Sequence, residues 1–187
     1  IPGIAGYDAY GHHRAHISYW GEYAWADKLG PDSGRELIPT LVASLAHAHE
    51  RSVAYGQTTL QHMLLVHPYL AIPTGPNMVY SNDLNTPKKQ AYDLLHLIVS
   101  LASSALLESA SSEEGIAEIV ERVLACYPHE DVLTPLKSIA VEKDSWLAEE
   151  IFDMFTQYQV GGPYTVWSTV KKVLPQLIEE RLRDTEK

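Results

Sequence analysis

The chain has a single cysteine, Cys126, and therefore cannot form an intramolecular disulfide. A chain without disulfides is typical of a reducing compartment, so we predict a cytoplasmic protein. Cys126 ends a predicted amphipathic helix just before Tyr127 and Pro128. There we expect a small buried hydrophobic residue rather than a nucleophile.

Basic residues are scarce. Acidic residues outnumber them 24 to 14, which gives a formal net charge of -10. No window gathers the lysines and arginines that a phosphate backbone requires. We therefore predict no nucleic-acid partner.

Long apolar runs are also missing. The most apolar stretch, residues 94–107, is interrupted by His96, Ser100, Ser103 and Ser104. A membrane span needs roughly 20 apolar residues, so we predict no membrane partner.

Several motifs with a known mechanism do not occur. The chain has no phosphate-binding or dinucleotide-binding glycine motif, no G-x-S-x-G elbow and no paired C-x-x-C. It also lacks E-x-x-H, of which the ferritin-like dinuclear site needs two. These absences leave nucleotide, hydrolase-elbow, zinc-ribbon and di-iron functions without support.

What is present is an ordinary globular composition, with 187 residues and 45% hydrophobic residues. We predict a single all-α domain over residues 1–187, a compact bundle of about six to eight helices around an apolar central helix 87–108. Residues 1–11 are predicted to be an irregular arm and residues 68–86 a long loop rich in proline and asparagine. The apolar periodicity and capping patterns place the helices at 12–29, 33–56, 58–67, 87–108, 111–126, 130–141, 144–158 and 163–182. Only 77–80 could be a strand.

The segment 7–25 has the most unusual composition. It holds four of the eleven tyrosines, two of the four tryptophans and three of the nine histidines. The chain opens with Ile1, Pro2 and Gly3 and no Met, which is compatible with a leader, a tag or a preceding region.

One hypothesis for this segment is a metal site. On a helix, His12 and His16 would share a face, with His13 as an alternative partner of His16. Further ligands would come from the next helical region, where the candidates are His47, His49, His62 and the carboxylate of Glu50. The cofactor would be a divalent metal or a haem; otherwise these histidines are surface or core residues.

A second hypothesis is acid–base chemistry without a metal, because imidazole titrates near neutral pH. The candidate catalytic residues are His16, His49 and Tyr23. A ligand would contact Tyr19, Trp20, Tyr69 and Tyr80, with the loop 68–86 closing the pocket. Aromatic residues at helical spacing also fit an ordinary core.

Two other histidines have structural interpretations. His96 lies within the most apolar helix and is expected to be a hydrogen-bonded core residue. His129 lies beside Glu130 and Asp131 at a helix start, where we expect a solvated capping cluster.

Two functions follow. The first is a small helical enzyme or ligand-binding protein whose pocket, lined by histidines and aromatic residues, binds a small molecule, with or without a metal. The alternative is a helical interaction or assembly module without catalytic activity, in which segment 7–25 and loop 68–86 contact a protein partner or a second copy of the chain.

Overall fold

The computed structural model describes residues 4–10, 14–19, 24–25, 31–56, 58–67, 70–73, 84–103, 112–141 and 163–185. Five α-helices lie within them, namely α1 (Pro31–Glu50), α2 (Thr86–Ala102), α3 (Glu113–Cys126), α4 (Glu130–Val141) and α5 (Pro163–Thr185). The same residues contain five strands, β1 (Ile4–Tyr10), β2 (Arg14–Tyr19), β3 (Ala24–Trp25), β4 (Met63–His67) and β5 (Leu70–Pro73), and a 3-10 turn at Leu60–His62.

The packed core is all-α, as predicted, and α2 is its central helix. Helix α2 packs against α3, α4 and α5, and every residue of α2 from Gln90 to its last residue, Ala102, is buried. The predicted number of six to eight helices is corrected to five in the described part of the chain. The helix predicted at 144–158 falls outside the described residues.

The starts of α2 and α3 agree with the capping patterns to within one residue, whereas α1 begins two residues before the predicted start at Ser33 and ends at Glu50 rather than at residue 56. Helix α2 is capped by Asn85, whose side chain accepts the Lys88 amide, rather than by the predicted Thr86. Helix α3 is capped by Ser112, whose hydroxyl accepts the Gly115 amide. Each cap satisfies an amide that has no partner within the helix. Helix α4 has the predicted bounds.

The N-terminal region is a correction. The predicted arm 1–11 contains strand β1, and the predicted helix 12–29 contains β2 and β3. Strands β1 and β2 are antiparallel, with Asp8 opposite His16 and Tyr10 opposite Arg14. Tyrosine, tryptophan and isoleucine favour strands as a class, and here that preference outweighs the helical spacing.

A second small sheet corrects two further predictions. Its order is β3-β4-β5, and all neighbours are antiparallel. Strand β4 occupies part of the predicted helix 58–67, and β5 lies within the predicted structureless loop 68–86. Buried Met63, Leu65 and Ala71 join this sheet to the helical core. The candidate strand 77–80 lies outside the described residues.

The chain turns sharply after α1. Ser52 has a φ of 59°, in the left-handed region that few residues other than glycine adopt. The Val53 amide donates to the Ala48 carbonyl at 3.1 Å, which closes the end of the helix. The following residues, 53–56 and 58–62, then run along α2 and are called the connecting segment below.

None of the helices in the described part of the chain is long and apolar enough to span a membrane.

Candidate functional site

Four buried polar side chains lie along one side of the central helix. They are Gln90, Asp93, His96 and Ser100. Their spacing of three, three and four residues keeps them on one side of a helix with 3.6 residues per turn. Together with His49 of α1 and Tyr127, which follows α3, they form what we call the polar cluster.

Asp93 is at the centre of the polar cluster, and its exposed fraction is 0%. One carboxylate oxygen accepts the Tyr55 amide at 2.6 Å, and the other accepts the Gly56 amide at 2.8 Å. The Thr58 hydroxyl donates to the Asp93 backbone carbonyl. A buried carboxylate is costly unless such donors surround it. Asp93 therefore fixes the connecting segment against α2.

His49 connects Asp93 to Tyr127. Its Nε2 lies 3.3 Å from the Asp93 carboxylate, and its Nδ1 lies 2.6 Å from the Tyr127 hydroxyl. In the neutral tautomer that fits both contacts, Nε2–H donates to Asp93 and Nδ1 accepts from Tyr127. Carboxylate, imidazole and phenol thus form one hydrogen-bonded series.

The Tyr127 phenol stays protonated in this series. Burial raises its pKa well above the ordinary value, and the negative charges of Asp131 and Asp93 raise it further. The ring has an exposed fraction of 0% and meets the His49 ring edge-on, with 5.8 Å between the ring centroids. Tyr127 is therefore a hydrogen-bond donor.

Backbone contacts hold the polar cluster between helices. Gln90 donates to the His49 carbonyl at 2.8 Å, and the Arg181 guanidinium of α5 donates to the Tyr127 carbonyl. His129 Nε2 donates to the Ala46 carbonyl at 2.9 Å. Glu130 and Asp131 are exposed at the start of α4, as predicted, but His129 is half-buried and links the start of α4 to α1.

His96 differs from the rest of the polar cluster. Its exposed fraction is 0%, and neither ring nitrogen has a hydrogen-bond partner among the described residues. The expected hydrogen bond is therefore not found there. Burial lowers the pKa of His96 to about 4; the carboxylate of Asp93 opposes that shift and His62 adds to it. His96 is held as a neutral imidazole.

The three histidines predicted as further metal ligands have different surroundings. His47 is exposed, and Arg51 donates to its ring. His62 is half-buried with its Nδ1 2.8 Å from the Thr59 hydroxyl, whereas His49 is buried in the polar cluster. No group of three histidine, cysteine or acidic side chains in the described ranges is placed to hold a metal ion.

The predicted geometry of the N-terminal metal ligands, His12 and His16, is corrected. His16 lies in strand β2, so the helical spacing proposed for His12 and His16 is wrong. His12 lies outside the described residues. A metal site that uses both residues stays a prediction.

The predicted ligand contacts also stay predictions. Tyr19 ends strand β2, but its side chain is outside the described part of the chain. Trp20, Tyr23, Tyr69 and Tyr80 lie outside it entirely. Of the predicted catalytic residues, only the His49 side chain is described, and it belongs to the polar cluster.

Cys126 is another correction. It is exposed at the end of α3, whereas we expected a buried hydrophobic residue. The next residue, Tyr127, is the one that turns into the core.

The sequence interpretation missed most of the polar cluster. A signal for Gln90, Asp93 and Ser100 exists, because polar residues recur at helical spacing within an otherwise apolar helix. Tyr127 has no comparable local signal, because its partner His49 lies 78 residues away in the sequence.

Comparison of the chain with models of protein families, with curated proteins and with solved structures finds no match.

Proposed function

We propose that the protein is a small helical enzyme or ligand-binding protein whose functional centre is the polar cluster. The observation that carries this proposal is the series Asp93, His49 and Tyr127, with contacts of 3.3 and 2.6 Å at the two ring nitrogens of His49. The polar cluster therefore replaces segment 7–25 as the main candidate for the functional centre.

The series supports acid–base chemistry for a general reason. An imidazole that a carboxylate orients on one side presents its other nitrogen as a base of fixed direction. In this chain that nitrogen meets the Tyr127 hydroxyl. Tyr127 is the group that would accept a hydrogen bond or a proton from a substrate through its hydroxyl oxygen, while its own hydroxyl proton passes to His49 Nδ1.

The ligand that suits this centre is a small polar molecule. Tyr127 supplies a hydroxyl, and the neutral ring of His96 supplies one donor and one acceptor. Both residues are buried, so a ligand reaches them only when the packing around them opens, and separation of the connecting segment from α2 is the opening that would uncover His96. The hydrogen bonds that the connecting segment makes to Asp93 and Ser100 oppose this separation.

A thermal-shift screen with a panel of small polar metabolites tests the proposal. Tyr127→Phe keeps the buried ring and removes only the hydroxyl, and His47→Asn removes an exposed histidine from the same helix as His49. We expect a binding compound to raise the melting temperature of the wild type and of His47→Asn, and to lose at least about tenfold in affinity for Tyr127→Phe.

Equal affinity for the wild type and Tyr127→Phe would place the ligand elsewhere and contradict the proposed centre. A panel without any binding compound would count against the function itself. The alternative function, an interaction or assembly module, rests on residues 7–25 and 68–86 and stays a prediction. Light scattering on Trp20→Ala and Trp25→Ala variants tests it.

A further inference from the structure

His96 lies between Asp93 and Ser100 on the side of α2 that binds the connecting segment. On one side of it, Asp93 accepts the amides of Tyr55 and Gly56. On the other side, the Ser100 hydroxyl accepts the Leu60 amide at 3.0 Å. These hydrogen bonds hold the connecting segment on the helix face at two places that flank His96.

A proton added to His96 would put a positive charge in this contact. The ring has an exposed fraction of 0%, and neither nitrogen has a partner among the described residues, so the new N–H donor would have no acceptor there. A buried charge without a partner is strongly unfavourable, and it is relieved when water reaches it. Water reaches His96 most directly if the connecting segment leaves α2.

We propose that His96 makes the attachment of the connecting segment to α2 sensitive to acid, so that the segment detaches from the helix before the rest of the core unfolds. This device does not depend on the function proposed above, because it needs only the packing of His96 and its neighbours.

The direction of the effect follows from proton linkage. The pKa of His96 is about 4 in the folded protein and close to 6.5 once the ring is in water. Below pH 6.5 the opened form therefore binds more protons than the closed form. The contribution of neutral His96 to the stability of the closed form is fully present above pH 6.5. It is lost progressively as the pH falls from 6.5 towards 4.

Other titratable groups face the same region. Asp93 lies one turn before His96 on α2 and favours the added charge, and His62 on the 3-10 turn opposes it. The remaining titratable groups lie in the polar cluster or act on its members: His49 from α1, Tyr55 from the connecting segment, Tyr127 and His129 from the connection between α3 and α4, Asp131 from α4 and Arg181 from α5.

Hydrogen exchange on the wild-type protein tests the inference. Protection factors of the Tyr55, Gly56 and Leu60 amides are measured at about pH 7.5 and about pH 5, after correction for intrinsic exchange. We expect them to fall on the order of tenfold or more, while the Val123 and Leu124 amides of α3 keep theirs. Unchanged protection of the first three amides, or an equal loss in α3, would overturn the proposal.

The His96→Leu variant identifies the titrating group. We expect its three amides to lose at most about twofold in protection over the same pH change, because no proton can bind at that position. A loss equal to that of the wild type would assign the effect to another residue and overturn the proposal. If the leucine variant does not fold, His96→Gln replaces it, and His47→Asn is the control that should behave as the wild type does.

Discussion

Helices α2 and α3 both lie in the core, but they bury different kinds of side chain. The buried residues of α3 are Gly115 and five aliphatic residues, whereas α2 buries Gln90, Asp93, His96 and Ser100 together with its apolar residues. Apolar burial needs no particular partner, while a buried polar group needs one. Contacts of α3 should therefore tolerate changes of pH, and contacts of α2 should depend on single hydrogen bonds and on one protonation state.

The largest loss in the free energy of unfolding should come from a substitution in the apolar helix α3. Ile119→Ala removes three carbons from a side chain that is 2% exposed, and we expect it to lower the free energy of unfolding by about 4 kcal/mol. The loss should be the same at about pH 7.5 and about pH 5 in urea unfolding. A loss that varies with pH would show that the packing of α3 also depends on a protonation state.

The next effect concerns the carboxylate of α2. Asp93→Asn keeps the shape but removes the charge that the Tyr55 and Gly56 amides and His49 share. We expect a loss of about 3 kcal/mol in urea unfolding, since buried donors are left poorly paired. Glu121→Gln is the matched control on the exposed face of α3, and we expect it to change stability by less than about 0.5 kcal/mol. Equal losses in the two variants would contradict a special role for Asp93.

Removal of the Tyr127 hydroxyl is expected to cause a smaller loss of stability. Tyr127→Phe removes the donor to His49 Nδ1 and leaves that nitrogen without its partner. We expect a loss of about 1 to 2 kcal/mol by chemical denaturation, because the ring still packs. A loss near zero would mean that the hydroxyl is not hydrogen-bonded in solution.

The smallest losses of stability should come from the helix caps, and they should be equal in α2 and α3. Ser112→Ala and Asn85→Ala each remove one side-chain cap, from α3 and α2 respectively. We expect about 1 kcal/mol for each, because a cap acts at the helix end whatever the helix buries. A much larger loss in α2 would show that its cap also supports the polar cluster.

The sequence was sufficient for structure that depends on local patterns. Helix α4 has the predicted bounds, and α3 begins close to its capping pattern, because caps and 3.6-residue periodicity involve neighbours in the chain. Strand β4 was missed because it is stabilised by pairing with β3 and β5, which no local window contains.

The candidate site was predictable to a smaller extent. His49 was a candidate on account of its chemistry, but its partners Asp93 and Tyr127 were not named, because contacts between distant residues leave no periodic signal. His96 was expected in the core and lies there, but the hydrogen bond expected for it depended on neighbours that the sequence could not identify.

The exposed thiol at the end of α3 offers a practical consequence. Cys126 is the one cysteine in the chain, so a maleimide dye attaches at a single position without any engineering. Its covalent neighbour is Tyr127, which is fully buried against His49. A fluorophore at Cys126 would therefore report in real time, as a change in anisotropy or quenching, when Tyr127 leaves its place in the core.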